Sequence, residues 1–83
     1  MRINLNQHVA MSAKEDASDR TLERIAEQGG KGFIVRDHMR SHGAFGGGPA
    51  LLLESLVDGG YRGERWMGWL PLDEIEEITP WRV

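Results

Sequence analysis

Apolar and polar residues alternate along several short stretches of the chain, the pattern of half-buried β-strands. The alternation predicts one strand in residues 2–11 and a second in residues 32–39. Residues 50–58 are leucine-rich, as in a helix, but Gly and Pro bound them at strand length. We therefore favour a strand there, with a helix as the alternative. Residues 61–70 follow a Gly-Gly hairpin signal and predict a further strand.

The segment with helical character is residues 12–28. Ser12 and Glu15 have the spacing of a capping box, and two glycines at positions 29 and 30 would end the helix. The apolar stripe is strongest over the last two turns, so Ser18 is an alternative N-cap. We expect this helix to cover one open end or face of the sheet.

Two other segments are predicted to connect or follow the strands. Residues 40–49 contain four glycines, which predicts a flexible turn or a long hairpin loop. Pro71 cannot donate to a strand ladder, so the strand should end there. Beyond it, Leu72, Ile75 and Ile78 recur at a spacing of three, which predicts a short 3₁₀ or α turn.

These elements predict an α+β domain that residues 60–78 complete with a closing strand and tail. Residues 32–78 resemble an SH3-like small barrel. They contain short predicted strands, and the last of these is followed by a proline and one helical turn. We expect one domain: a partly open barrel of four to five antiparallel strands with one N-terminal helix. Its strand and helix would occupy residues 1–30 and the barrel strands residues 31–83. This architecture hosts many unrelated functions, so the resemblance implies a binding module by analogy alone.

Composition narrows the class of protein. A chain of 83 residues buries only about 60% of its unfolded surface, so a partner or a second copy would help its stability. It has no cysteine, which excludes disulfides and thiolate metal sites and is compatible with a reducing cytosol. The longest apolar run, residues 50–53, is far too short for a membrane helix. We expect a cytoplasmic protein without membrane contact.

Charge is distributed unevenly along the chain. Residues 1–43 carry seven Lys and Arg against six Asp and Glu, whereas residues 44–83 carry three against seven, for a net charge of −3. An acidic half would repel a phosphate backbone, which disfavours broad binding to duplex nucleic acid. The run of carboxylates in residues 73–77 is read as a solvated face, with docking on a basic partner as the alternative.

The first residues of the chain, Met-Arg-Ile-Asn-Leu-Asn with Val9 shortly after, are similar to the beginnings of short uncharacterised proteins from tailed phages and prophages. The resemblance covers residues 1–9. It implies a phage or prophage origin and carries no particular activity.

The predicted binding surface combines aromatic and arginine side chains. On a strand, Trp66 and Leu70 face one way and Met67 and Trp69 the other, so only a bulge at Gly68 would bring both tryptophans to one face. We expect one tryptophan in the core and the other at a surface anchor of the kind enriched in interaction hot spots. The expected binding residues are Tyr61, Arg62, Arg65, Trp69 and Phe45, the last as an exposed apolar tip of the glycine loop.

Metal binding and catalysis have weaker patterns. Asp37, His38 and His42 form the densest group of metal-ligating residue types. Along a strand, however, positions 38 and 42 lie about 13 Å apart, so they share an ion only if the chain turns back. No spacing joins a serine to a histidine as nucleophile and base. We therefore expect neither an enzyme nor a cofactor.

The sequence thus predicts a small module that acts by protein–protein contact or by self-association as a homodimer. One alternative is binding of single-stranded nucleic acid, with bases stacked on Trp69 or Tyr61. The arginines available for it are Arg36, Arg40, Arg62 and Arg65. The other alternative is a metal-binding protein at Asp37, His38 and His42.

Overall fold

The computed structural model of the protein describes residues 4–28, 32–55 and 66–80. Within these ranges it is an α+β structure with a five-stranded antiparallel sheet and one α-helix. The elements are β1 (His8–Ala13), α1 (Asp19–Gln28), β2 (Phe33–His42), β3 (Gly48–Ser55), β4 (Met67–Pro71) and β5 (Ile75–Pro80). Two 3₁₀ turns, Gly43–Phe45 and Leu72–Glu74, precede β3 and β5.

The strands are arranged in the order β4-β3-β2-β1-β5. β1 therefore lies between the second strand and the last one, and pairs antiparallel with both. Among the described residues, β4 and β5 form the two edges of the sheet and do not pair with each other. The sheet is therefore not closed, and its five strands fall within the predicted range of four to five.

The long strand β2 is irregular at two points. Its register with β3 shifts between Val35 and Asp37, which leaves Arg36 as an extra residue, and shifts again between Met39 and His42. Such bulges bend a strand and increase its twist. The bend allows the beginning of β2 to pair with β1 while β3 pairs along its whole length.

Among the residues that the structure describes, one apolar cluster fills the inner side of the curved sheet. Its side chains have at most 1% of their surface exposed and come from four strands. Met11, Ile25, Trp66, Leu72 and Ile78 pack around the cluster. The buried members are Val9, Phe33, Val35, Leu51, Leu53 and Leu70.

Helix α1 lies across the open side of the sheet. Its first turn begins beside the 3₁₀ turn Leu72–Glu74, where Ser18 donates to the Glu74 carboxylate. Farther along, the Arg24 guanidinium lies 4.1 Å from the centre of the Trp66 ring, just before β4. Thr21, between these contacts, is buried. The helix therefore covers the sheet as predicted. No helix in the described part of the chain is long and apolar enough to cross a membrane.

The N-terminal boundaries differ from those predicted. Leu5 and Asn6 form a turn rather than a strand, with Asn6 in the left-handed region at φ 65°. The helix begins at Asp19, and Ser18, not Ser12, precedes it. Ser12 instead lies opposite Glu77 in the β1–β5 ladder, because β5 supplies strand hydrogen bonds that the capping-box spacing does not reveal.

Later boundaries differ for a similar reason. The strand β2 continues through residues 40–42, where a loop was predicted, because β3 begins at Gly48 and pairs with His42. The spacing of Leu72, Ile75 and Ile78 predicted one short helical turn, but only Leu72 lies in the 3₁₀ turn, which ends at Glu74. The two isoleucines belong to β5. The strand predicted over residues 50–58 is confirmed within the described range, which ends at Ser55.

The two tryptophans near β4 lie on different faces without a bulge. The β3–β4 register is regular from Met67 to Pro71. The Trp66 ring packs against the core, edge-on to Phe33 with ring centres 6.3 Å apart. It lies directly over Gly68, where an added Cβ would come within 2.5 Å of the indole. Gly68 therefore makes room for the core tryptophan.

The contact between Trp66 and Gly68 gives a direct test of the packing. Replacement Gly68→Ala should lower the free energy of unfolding by about 1–3 kcal/mol, because the indole must leave its place between Phe33 and Arg24. Urea titration followed by circular dichroism measures the loss. Gly43→Ala is the matched control, because nothing lies within 4 Å of its added Cβ. Equal effects of the two variants would contradict this packing.

Candidate functional site

Three ring side chains form a continuous row on the outer side of the sheet. The His42 ring centre lies 5.0 Å from that of Phe45 and 5.1 Å from that of Trp69, with both pairs tilted. All three side chains are half-buried. We call Phe45, His42 and Trp69 the aromatic row. Two of its members, Phe45 and Trp69, were predicted as binding residues.

A compact turn holds the Phe45 end of this row. His42 Nδ1 accepts a hydrogen bond from the Ala44 amide at 3.2 Å, so the imidazole caps the 3₁₀ turn. The Gly47 amide donates to the His42 carbonyl at 3.0 Å, with both Gly46 and Gly47 at positive φ. The segment predicted as a flexible loop is thus hydrogen-bonded, and Phe45 is half-buried rather than an exposed tip.

Trp69 reaches His42 across the intervening strand β3. His42 pairs with Gly48, while Trp69 pairs with Leu52. The residue between Gly48 and Leu52 on that face is Ala50, which is fully buried. Small residues on β3 therefore let rings from its two neighbouring strands meet above it.

Exposed apolar side chains flank the aromatic row. Met67, two residues before Trp69 on the same face, is 53% exposed, and Met39 of β2 is 40% exposed. Methionine adapts its shape to different apolar partners. The row and its flanks thus place five apolar or aromatic side chains on one face of the sheet.

Phe45 also forms one wall of a cleft of about 390 Å³. Three segments that are distant in sequence line this cleft: the start of α1, the region from the first 3₁₀ turn into β3, and the end of β4 with the second 3₁₀ turn. The lining residues are Ser18, Arg20, Thr21, Ala44, Phe45, Gly48, Pro49, Pro71, Asp73 and Glu74. The cleft volume lies within the range of ligand-binding pockets.

One carboxylate of the cleft, that of Glu74, accepts hydrogen bonds at the start of helix α1. Glu74 Oε1 accepts from the Ser18 amide at 2.8 Å and from the Ser18 hydroxyl at 2.7 Å. The hydroxyl bond is the main reason why the pKa of Glu74 is lowered, and partial desolvation opposes it. The Ser18 amide and the Thr21 hydroxyl lower the pKa further. A negative charge here also suits the positive end of the helix dipole.

The other two charged groups of the cleft have no such partner. Within the described ranges, neither the Arg20 side chain nor the Asp73 side chain takes part in a hydrogen bond or an ion pair. The Asp73 side chain lies over Gly48, where an added Cβ would come within 3.1 Å of Oδ2. The absence of a side chain at Gly48 thus leaves space for this carboxylate at the edge of the cleft.

The remaining predicted binding residues, Tyr61, Arg62 and Arg65, lie outside the described residues. Of the other arginines proposed for nucleic acid, Arg36 is engaged: its Nε donates to Glu54 at 2.7 Å and its Nη1 donates to Asn6 at 2.8 Å. Arg40 is exposed on β2. Stacking of single-stranded bases on Trp69 remains an untested alternative.

The three residues proposed for a metal have separate surroundings. Asp37 Oδ1 accepts from the His38 amide at 2.7 Å, while His42 packs in the aromatic row. In the part of the chain that the structure describes, no three His, Asp or Glu side chains stand close enough to hold an ion.

Sequence reasoning did not find the cleft. Ser18 stood out as an alternative cap and residues 73–77 as a carboxylate run, but nothing local links Ser18 with Glu74, which is 56 positions away.

Comparisons with models of protein families, with curated proteins and with solved structures found no match for this chain.

The bond between Ser18 and Glu74 predicts a pH-dependent stability. Because folding lowers the pKa of Glu74, its carboxylate stabilises the folded chain at neutral pH, and this contribution is lost as pH falls through the lowered pKa. Replacement Glu74→Gln should therefore lower the free energy of unfolding by a few tenths to about 1 kcal/mol at pH 7. The difference from the natural chain should shrink toward about pH 3.

Urea titrations at several pH values measure this effect. Glu76→Gln is the control, because Glu76 is exposed on β5 and its side chain makes no hydrogen bond within the described ranges. A Glu74→Gln penalty that grows as pH falls, or one that Glu76→Gln reproduces, would refute the assigned role.

Proposed function

We propose that this chain is a small binding module that acts by protein–protein contact through the aromatic row and the adjoining cleft. The observation that carries the proposal is their continuity. Phe45 belongs to both: one part of its surface meets His42 in the row, and another lines the cleft. A partner segment could therefore contact Trp69 and enter the cleft at the same time.

The chemistry of the row suits protein recognition. Aromatic side chains contribute large apolar areas with little rotamer freedom to lose, and they dominate interaction hot spots. The row is half-buried before any partner arrives, and its Phe45 end is fixed by the turn that His42 caps. A surface that is already ordered loses less entropy on binding.

The polar groups of the cleft favour recognition over catalysis. The Ser18 hydroxyl, which lies in the cleft, donates to Glu74 and so helps to hold the first turn of α1. The proposal assigns no reaction to these groups. Self-association into a homodimer is the alternative use of the same surface.

Two finer descriptions accompany this proposal. The strand order β4-β3-β2-β1-β5, with a 3₁₀ turn before the last strand, supports describing the sheet as an SH3-like, partly open barrel. An origin in a phage or prophage is supported by the N-terminal sequence resemblance alone.

A capture experiment with matched variants tests the function. The immobilised chain is incubated with bacterial lysate, and the retained proteins are identified by mass spectrometry. We expect Trp69→Ala and Phe45→Ala to reduce retention of a specific partner by about tenfold or more, because hot-spot side chains typically contribute 2 kcal/mol or more. Leu5→Ser should retain it fully, since Leu5 is 55% exposed but lies outside the row and the cleft.

Two readouts separate the alternatives. Sedimentation of the purified chain shows whether the captured partner is a second copy. Thermal unfolding of each variant shows that lost retention is not lost folding. Equal retention by the natural chain and by folded Trp69→Ala and Phe45→Ala would refute the proposal. Retention that nuclease treatment abolishes would instead favour the nucleic-acid alternative.

A further inference from the structure

The walls of the cleft differ in chemical character. Phe45, Pro49 and Pro71 supply apolar surface, while Asp73 and Glu74 supply two carboxylates from the second 3₁₀ turn. Against these two negative charges, the lining includes one positively charged residue, Arg20. The net charge of the lining residues is therefore negative, in keeping with the acidic second half of the chain.

The usual reason for an anion to bind beside a helix start does not apply here. A helix N-terminus attracts anions through its free amides and its dipole. In this protein Glu74 already accepts from the Ser18 amide, so a carboxylate of the chain itself occupies that position. A second anion would enter next to Glu74 and Asp73 and be repelled by both.

A cation meets the opposite situation. The Asp73 carboxylate, which has no partner among the described residues, stands beside Gly48 at the edge of the cleft. The Phe45 ring can contact the methylene groups of a long basic side chain, and its face attracts the charge. The volume of about 390 Å³ exceeds what one such side chain needs.

From this we infer that the cleft receives a lysine or arginine side chain from the partner segment, with its stem on Phe45 and its charged head at Asp73. The inference rests on the proposed function and names the chemistry of the partner: a basic residue with apolar neighbours. Arg20, the positively charged residue of the lining, then acts against binding, because it repels the incoming charge.

Three peptides that differ at one position test this inference on the full chain. They are acetylated and amidated Gly-Leu-Xaa-Leu-Gly with Xaa as Arg, Gln or Glu, titrated at low salt into ¹⁵N-labelled protein. We expect amide shifts to concentrate at residues 44–48 and 72–74. The Arg peptide should bind roughly three- to tenfold more tightly than the Gln peptide, and the Glu peptide should bind most weakly.

Two charge variants provide the decisive signature. Asp73→Asn should remove the preference for Arg over Gln, whereas Arg20→Gln should increase it. Both positions are exposed, so folding should be unaffected. A preference for the Glu peptide, equal binding of all three peptides, no binding, or shifts away from the cleft would each overturn the inference.

The outcome is separable from that of the capture experiment. If all three peptides bind equally while Trp69→Ala abolishes partner capture, the charge inference fails and the proposed function stands. The opposite result is also possible. If the Arg peptide binds preferentially and Asp73→Asn and Arg20→Gln change that preference as expected, but Trp69→Ala leaves partner capture unchanged, the inference holds and the proposed use of the aromatic row fails.

Discussion

The structure depends on closing the open side of a sheet whose two described edges do not pair. Six buried side chains from four strands form the core, and a curved sheet alone would leave part of them facing water. Helix α1 covers that side, held at its start by Glu74 and farther along by the stacking of Arg24 on Trp66. For so short a chain, this helix is part of the core rather than an addition to it.

The same closure shapes the candidate site. The Ser18–Glu74 contact sets the first turn of α1 beside the second 3₁₀ turn, and the space between them and Phe45 is the cleft. The residues that hold the helix in place therefore also define the walls available to a partner. The same contacts therefore affect both the stability of the fold and the shape of the cleft. For each substitution at these residues, both the free energy of unfolding and the affinity for a partner have to be measured.

Much of the local structure could be predicted from the sequence. Alternation identified the strand from Phe33 and placed Trp66 and Trp69 on opposite faces, because a regular strand fixes side-chain direction. It could not reveal that β5 exists, since its residues form a strand only beside β1. Nor could it show that Phe45 and Trp69 meet through His42, because that contact depends on pairing across β3 and on an irregular register in β2.

The position of β5 next to β1 has a consequence for how the chain folds during synthesis. Of the described strands, β1 leaves the ribosome first, and β5, one of its two neighbours, leaves it last. The cap on α1 likewise waits for Glu74. Until residues 74–80 have been synthesised, β1 keeps an unpaired edge and the helix lacks its anchor. Assembly of this sheet therefore depends on contacts between residues far apart in sequence, which can form only once all of β5 has been made.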